Sequence, residues 1–207
     1  MAEIVPFRAI RYAATHGRAL GQLIAPPYDM VSLEQRDELL RRSPENIIHV
    51  TLGEERPGDG PTTNKYQRAA ETWASWLARG VLRRDPGPAL YPLEQSFFAP
   101  DGRTMRRRGF MAAVRLHEFG EGIILPHEKT LVAPKADRLE TLKAVKANLS
   151  PLFGLYRDPT DATARAIDAG CAGEPVAETD SDDGVHHRLW RCDDPVEIAA
   201  LQRLLAG

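Results

Sequence analysis

Cysteine is scarce in this sequence, and its scarcity excludes two kinds of small-protein scaffold. The 207 residues include two cysteines, Cys171 and Cys192, with no Cys-x-x-Cys pair and no Cys/His zinc spacing. A disulfide framework or a structural zinc site needs more such residues at set spacings. Persistent disulfides are rare in the cytosol, so the lack of a disulfide framework favours a cytoplasmic protein. The lack of zinc-ligand spacing predicts that the protein has no metal site.

Excess charge of one sign and long apolar runs are also missing. The 27 Lys+Arg residues nearly balance the 29 Asp+Glu residues, which gives a formal net charge of -2. A generic nucleic-acid-binding domain would be basic, so nucleic acid is not expected as a partner. Charged residues interrupt every apolar run before it reaches the length of a signal peptide or a membrane span. We therefore expect neither export nor a membrane partner.

Three familiar catalytic signatures are missing as well. The sequence has no Gly-x-Gly-x-x-Gly fingerprint, no phosphate-binding P-loop and no Gly-x-Ser-x-Gly elbow. The usual dinucleotide, P-loop and serine-hydrolase sites are therefore excluded. His127 and Glu128 begin like a zinc-protease motif, but Leu131 stands where the second histidine would be. Zinc-protease chemistry is excluded at this position.

The order of the predicted elements indicates the fold class. Segments 89–98 and 103–116 are strand-like and are joined by Ala-Pro-Asp-Gly, and segments 174–179 and 185–192 flank Ser-Asp-Asp-Gly. Both linkers are typical of hairpin turns. Strands and helices alternate without a strict βαβ rhythm, so we expect an α/β protein that tends toward α+β. It would have a mixed β-sheet with hairpins and flanking helices, in a single domain over 1–207.

The remaining elements follow from capping signals, periodicity and breaker residues. Ser32 and Gln35 form a capping box ahead of a helix. The predicted helices are 33–42, a segment from 62 or 63 to Gly80, 135–149, 160–169 and 195–205. The predicted strands are 4–12, 46–52 and 152–156, and 53–61 is predicted to be a flexible surface loop.

The helix that begins near Lys135 carries cations in its first turn. Lys135 and Arg138 there oppose the positive end of the helix dipole, and the free backbone N–H groups already favour an anion. A phosphate or carboxylate ligand would balance both the two cations and the positive end of the helix. Arg138 would bind it as a two-pronged donor and Lys135 as a point charge. The open alternative is a surface network in which Asp137, Glu128 or Glu140 neutralises both cations.

The cations of this helix share a side with its apolar residues. At ~100° per residue, Lys135, Arg138 and Lys146 fall on the side of the helix that carries its leucines. An unpaired buried charge costs several kcal/mol. These side chains must therefore reach solvent, form pairs or face a ligand.

Two other segments supply polar groups. His127, Glu128 and Thr130 precede the helix and could act as base, orienting carboxylate and hydroxyl donor toward a ligand. A hydrogen-bonded structural role is the alternative for His127. Tyr28 and Asp29 follow two prolines, which would hold both side chains in a fixed outward pose.

The first predicted hairpin carries a local basic cluster. Arg106, Arg107 and Arg108 are consecutive, and Arg103 and Arg115 lie nearby. A solvated strand edge that resists aggregation is the favoured interpretation. Contact with nucleic acid is the alternative, which predicts a steep dependence of binding on salt.

Several of these segments together resemble a known family, domain of unknown function 1015. The resemblance rests on IVPFRAIRY, APPYDMVS, SPENIIHVTL, YQRAAETWASWLARGVL, ALYPLEQSF, RRGFMAAVRL and LPHEKTLVAPKADRLETLKAVKANLSPLFGLY, which occur in this order. Family members are typically longer and continue into a second block with a stretch similar to ParB-like proteins and free-serine kinases. The chain would then be the N-terminal part of that architecture. Gly184 to Arg188 resembles the missing stretch superficially, and we interpret it as a strand.

The resemblance implies a phosphotransferase or nucleotide-handling role in serine metabolism, with a nucleotide and Mg²⁺ as cofactor. A kinase that acts on a free amino acid such as serine is its most specific form, and this chain alone would be inactive if the missing block or a second copy completes the site. The alternative is a non-catalytic module that binds an anionic metabolite or docks a protein partner. The catalytic candidates are His127, Glu128 and Asp137, and the ligand-binding candidates are Thr130, Lys135, Arg138, Tyr28 and Asp29.

Overall fold

The computed structural model describes residues 2–14, 20–127 and 132–206. It contains 37% helix and 21% strand, with several small antiparallel sheets, which confirms the mixed fold class. The strands are β1 (Ile4–Val5), β2 (Ile10–Tyr12), β3 (Leu82–Arg84), β4 (Tyr91–Phe98), β5 (Thr104–Met111), β6 (Ala113–Val114), β7 (Ala177–Asp180) and β8 (His186–Leu189). The helices are α1 (Leu33–Arg42), α2 (Ile48–Thr51), α3 (Lys65–Ala78), α4 (Val132–Val145), α5 (Ala162–Gly170) and α6 (Pro195–Ala206).

The chain forms two compact units, and each combines segments that are distant in sequence. The sheet unit comprises the described residues of 2–14, 84–127 and 153–206. The helical unit comprises those of 20–83 and 132–152. The expectation of a single domain over 1–207 stays a prediction.

The sheet unit is built around a four-stranded antiparallel sheet with the order β5-β4-β8-β7. Both predicted hairpins are confirmed, since β5 pairs with β4 and β8 pairs with β7. Gly102 and Gly184 adopt φ of 80° and 75° in the two turns, a backbone region that glycine enters without a Cβ clash. The interpretation of Gly184 to Arg188 as a strand is confirmed for His186 to Arg188, whereas Gly184 lies in the turn before β8. The core of the unit includes Ile4, Leu90, Ile167 and Leu201.

Polar side chains cap the first turns of two helices in the helical unit. The Ser32 capping box is confirmed: Ser32 Oγ accepts from the Gln35 N–H at 3.2 Å, and Gln35 Oε1 accepts from the Ser32 N–H at 3.3 Å. Helix α3 starts slightly later than the predicted position 62 or 63, because Asn64 Oδ1 caps the N–H groups of Tyr66 and Gln67. The buried apolar residues of the helical unit include Leu23, Leu39, Ile48, Val50, Ala69 and Trp76.

The predicted strand over 46–52 is wrong. Ile48–Thr51 forms α2, and the side chain of Asn46, two residues before it, accepts from the Ile48 N–H at 2.9 Å. The same side chain donates to the carbonyls of Gln22 and Ile24 at 2.8 and 2.9 Å. The β-branched run indicated burial correctly, but a short apolar run does not distinguish a strand from a buried helix.

Two other predictions differ from the structure. Segment 152–156 is not a strand: within the described chain, residues 151–158 have neither helix nor strand, and Leu152 is 98% exposed. The predicted strand over 4–12 divides into β1 and β2. The predicted helix over 135–149 exists as α4, but it spans Val132–Val145 and therefore begins and ends earlier than predicted. Arg138 lies beyond its first turn, contrary to the prediction, and Lys146 follows the helix with a φ of 57°.

Helix α4 leaves both of its leucines partly exposed. Thr141 and Val145 are buried, whereas Leu139 and Leu142 are 47% and 40% exposed. Thr141 is accommodated because its Oγ1 donates to the Asp137 carbonyl at 3.0 Å. The side of α4 that faces α3 therefore carries Asp137 and Arg138. No helix in the described ranges combines the length and hydropathy that crossing a membrane requires.

Candidate functional site

Helices α3 and α4 of the helical unit bring four polar side chains into direct contact. Asp137 Oδ1 accepts from the Tyr66 hydroxyl and from Lys65 Nζ, both at 2.9 Å. Its other oxygen, Oδ2, accepts from Arg138 Nη2 at 2.5 Å. Lys65 and Tyr66 are the first two residues of α3, so the cap at Asn64 fixes where both side chains leave the helix. We call Tyr28, Thr51, Lys65, Tyr66, Asp137 and Arg138 the Asp137 cluster.

The cluster keeps Asp137 ionised. Burial alone would raise the pKa of this carboxyl, but hydrogen bonds from Arg138, Lys65 and Tyr66 lower it to about 2. The hydrogen bonds to Asp137 and Glu55 outweigh burial and raise the pKa of Lys65. A carboxylate with so low a pKa is a weak base, and the lysine beside it stays a cation at neutral pH.

Contacts with Tyr28, Thr51 and Asp137 fix the orientation of the Arg138 guanidinium. Its central carbon lies 4.0 Å from the centroid of the Tyr28 ring, a cation–π contact. Nη1 donates to the Thr51 carbonyl at 2.8 Å, and Nη2 donates to Asp137. The third nitrogen, Nε, is buried and has no hydrogen-bond partner among the described residues. Because an unmade hydrogen bond on a buried charged group costs free energy, this N–H is a donor for which the cluster itself provides no acceptor.

An open cavity adjoins the cluster on the side of Lys65. It has a volume of about 280 Å³ and is lined by Glu55, Arg56, Asp59, Gly60, Asn64, Lys65 and Tyr66. Lys65 Nζ reaches Glu55 Oε1 at 3.1 Å, and the Glu55 side chain is 79% exposed. Lys65 therefore links the inner carboxylate of Asp137 to an exposed carboxylate at the cavity.

Arg68 holds the loop that borders this cavity. Its two terminal nitrogens donate to Asp59 at 2.6 and 2.9 Å, and one of them also donates to the Glu54 carbonyl at 2.6 Å. Hydrogen bonds from Arg68 and from the Arg56 N–H lower the pKa of Asp59 to about 2. The described loop contains neither helix nor strand over 53–59, as predicted. Its predicted flexibility stays a prediction.

The structure brings three of the predicted site residues together. Tyr28, Asp137 and Arg138 belong to one cluster, and Asp137 neutralises Arg138 as the surface-network alternative proposed. Lys135 and Asp29 are exposed, and neither side chain belongs to the cluster.

The other predicted residues lie elsewhere. His127 is exposed and belongs to the sheet unit. Glu128 and Thr130 lie outside the described residues. Their roles stay predictions. Within the described ranges, no three His, Cys, Asp or Glu side chains form a group that could hold a metal ion.

Sequence reasoning missed three members of the cluster, which are Thr51, Lys65 and Tyr66. Lys65 lies in the first turn of α3, the same kind of position that singled out Lys135 in α4. Applied to every helix, that criterion would have found Lys65. Thr51 contributes a backbone carbonyl and leaves no signal in the sequence.

Comparison with known proteins identifies the family. The family model described as "Protein of unknown function (DUF1015)" matches residues 4–207, and the chain belongs to that family. No curated protein and no solved structure gives a significant match.

Proposed function

We propose that the helical unit binds a small anionic ligand, with a phosphate or carboxylate group, beside Lys65 and Arg138. The observation that carries the proposal is the buried Nε of Arg138, for which the described residues provide no acceptor. The guanidinium is already oriented by Tyr28, so little side-chain freedom would be lost on binding. Lys65 supplies a second cation and lines the open cavity. Arg138 does not line that cavity, but it lines a smaller one that shares Lys65 and Tyr66 with it.

Lys65 has two carboxylate partners, Glu55 and Asp137, and a ligand would replace Glu55 more easily than Asp137. Asp137 is mostly buried and is held by three donors, so this contact should persist when a ligand binds. Glu55 is largely exposed, and exposed pairs contribute little free energy. A ligand phosphate or carboxylate can therefore replace Glu55 on Lys65 at small cost. The cavity volume of about 280 Å³ suits a small metabolite.

Phosphoryl transfer with a nucleotide and Mg²⁺, including transfer to a free amino acid such as serine, is the finer form of this proposal. It rests on the family resemblance. Asp137 is a poor general base at a pKa of about 2, so the geometry supports ligand binding more directly than proton removal. A cytoplasmic location belongs to the same proposal, and it is supported by the free thiols of Cys171 and Cys192.

Titration calorimetry on the purified chain tests binding. The probes are inorganic phosphate, pyrophosphate, phosphoserine, and ATP with and without Mg²⁺. We expect Lys65→Ala and Arg138→Lys to weaken binding of the responding probe at least about tenfold, since lysine keeps the charge of Arg138 but loses the planar contact with Tyr28. Lys143→Ala is the matched control, because Lys143 is an exposed lysine of α4 that pairs with Glu140.

Two outcomes would overturn the proposal: no probe binds, or a probe binds the cluster variants as tightly as the unchanged chain. Lys135→Ala then shows whether the ligand also reaches the first turn of α4. A phosphate-transfer assay with ATP and serine separates the finer forms. Turnover would support a phosphotransferase, and binding without turnover would support the non-catalytic module.

A further inference from the structure

The two outer strands of the four-stranded sheet carry opposite charges. On the β5 side, the side chains of Arg103 and Arg106 are 75% and 60% exposed. On the β7 side, those of Glu178 and Asp180 are 48% and 80% exposed. Within the described residues, β5 pairs only with β4, and β7 pairs only with β8. The sheet therefore ends in a basic edge and an acidic edge, each with one row of backbone groups unused by the ladder.

Opposite charges at the two edges do not protect the sheet from another copy of itself. Charged side chains keep sheet edges apart when both edges have the same sign, because two copies then repel. Here the basic edge of one copy attracts the acidic edge of another. We propose that the chain associates head to tail, with β5 of one copy adding to β7 of a second copy.

The strand directions permit this addition. Each neighbouring pair in the order β5-β4-β8-β7 is antiparallel, so β5 and β7 run in opposite directions. A second copy placed beyond β5 in the same orientation would bring its β7 alongside as an antiparallel neighbour. The hydrogen-bonding pattern of the sheet would continue across the contact.

The side-chain faces also match. Glu94 lies opposite both Arg108 and Arg188, and Arg188 lies opposite Glu178. Arg108 and Glu178 therefore point to the same face of the sheet. The next row likewise places Arg106 and Asp180 on this face, through Ser96 and His186. The register that sets Glu178 opposite Arg108 also sets Asp180 opposite Arg106, which gives two cross-strand pairs of opposite charge.

Arg106 is the arginine best placed for the contact. Arg108 already pairs with Glu94 at 2.5 Å and with Asp168. Arg106 reaches Glu94 only at 3.6 Å. The short length of β7 keeps the contact small, so the association should be weak and sensitive to salt. Because the surfaces on the two partners differ, further copies can add until a ring closes.

Sedimentation velocity tests the proposal on the full chain and two edge variants. One variant neutralises the basic edge by Arg103→Gln and Arg106→Gln, and the other neutralises the acidic edge by Glu178→Gln and Asp180→Asn. We expect the unchanged chain to associate as its concentration rises at low salt, and each variant to associate at least about tenfold more weakly. Arg41→Gln with Lys143→Gln is the control, because both residues are exposed and lie on helices.

Mixing the two variants distinguishes the head-to-tail contact from other dimers. Each variant retains one intact edge, so the mixture should form dimers and stop there. The proposal is overturned if the unchanged chain stays monomeric at every concentration, if the edge variants associate as the control does, or if the mixture gives no dimer. Circular dichroism of both variants confirms that the fold is retained.

Discussion

Arg11 and Asp85 form a two-pronged ion pair inside the sheet unit. Arg11 Nε and Nη2 donate to the two carboxylate oxygens at 3.0 and 2.7 Å. The buried hydroxyl of Tyr91 donates to the same carboxylate at 2.7 Å. Burial by itself would raise the pKa of Asp85, but hydrogen bonds from Arg11 and Tyr91 lower it. The carboxylate therefore joins β2 to the segment that leads into β4.

The first prediction concerns this carboxylate. Asp85→Ala would leave Nε and Nη2 of Arg11 without their acceptor, and the Tyr91 hydroxyl would keep only the Phe7 carbonyl, at 3.5 Å. We expect the free energy of unfolding to fall by about 3 kcal/mol, as is typical when one partner of a buried pair is removed. Urea unfolding at neutral pH measures the loss.

The control for Asp85 is Tyr91→Phe, which keeps the ion pair. It removes one donor to Asp85 and the acceptor of the Ala9 N–H, so a loss of about 1 to 2 kcal/mol is expected. Asp85 has a lowered pKa, so its contribution is present above the unfolded pKa and is lost as the pH falls through the folded pKa. An Asp85→Ala chain as stable as the unchanged chain would show that the pair contributes nothing to folding.

The local elements were largely predictable, and the errors have a common physical cause. The Ser32 capping box and the Asp-Gly turns specify structure through groups close in sequence, and both predictions are confirmed. The strand predicted at 46–52 failed because Asn46 takes its partners from Gln22 and Ile24, more than twenty residues away. Such long-range contacts override local propensity.

The candidate site shows the same limit. Charge placement in α4 pointed to Arg138 and Asp137, which the structure brings together. The same criterion could have singled out Lys65 in α3, but it could not indicate that Lys65 and Tyr66 contact Asp137, because that depends on how the two helices pack. Nor could it indicate that Arg138 donates to the carbonyl of Thr51, since every residue has a carbonyl group.

The second prediction uses Asn46, which is fully buried. Asn46→Ala removes two donors and one acceptor, so one buried N–H and two carbonyls lose their partner. We expect the free energy of unfolding to fall by about 3 kcal/mol. Asn64→Ala, at the cap of α3, should cost only about 1 kcal/mol. Equal losses in the two variants by urea unfolding would contradict the role assigned to Asn46.

Two adjacent histidines of β8 are predicted to respond to pH in opposite directions. His187 is half-buried; burial lowers its pKa, and its Nδ1 faces the Gln95 amide nitrogen at 3.2 Å. Gln95 is fixed in this orientation because its oxygen accepts from Arg107 at 2.6 and 3.0 Å. His186 lies between Asp180 and Glu178, and its hydrogen bonds to these carboxylates raise its pKa.

The third prediction is the sign of each effect. The stability contributed by neutral His187 is present above the unfolded pKa of about 6.5 and is lost as the pH falls through its lower folded pKa. The contribution of charged His186 is present below that unfolded pKa and is lost as the pH rises through its higher folded pKa. Urea unfolding between about pH 5 and 8 should show that His187→Gln reduces the acid loss, whereas His186→Gln reduces the alkaline loss. Identical pH profiles for the two variants would contradict this assignment.

The fourth prediction concerns the reactivity of the buried thiol. Burial, together with the hydrogen bond from Cys192 Sγ to Glu197 Oε2 at 3.1 Å, raises the pKa of Cys192 to about 12. The thiolate is the reactive form, so Cys192 should resist alkylation in the folded protein near neutral pH. Cys171→Ser leaves Cys192 as the sole cysteine, and iodoacetamide labelling followed by mass spectrometry then reads this thiol alone. We expect labelling only after unfolding in urea, whereas rapid labelling of the folded variant would show that the thiol is accessible and ionised. Glu197→Gln removes the neighbouring negative charge and should lower the pKa of the thiol, which would increase the labelling rate without exposing the site.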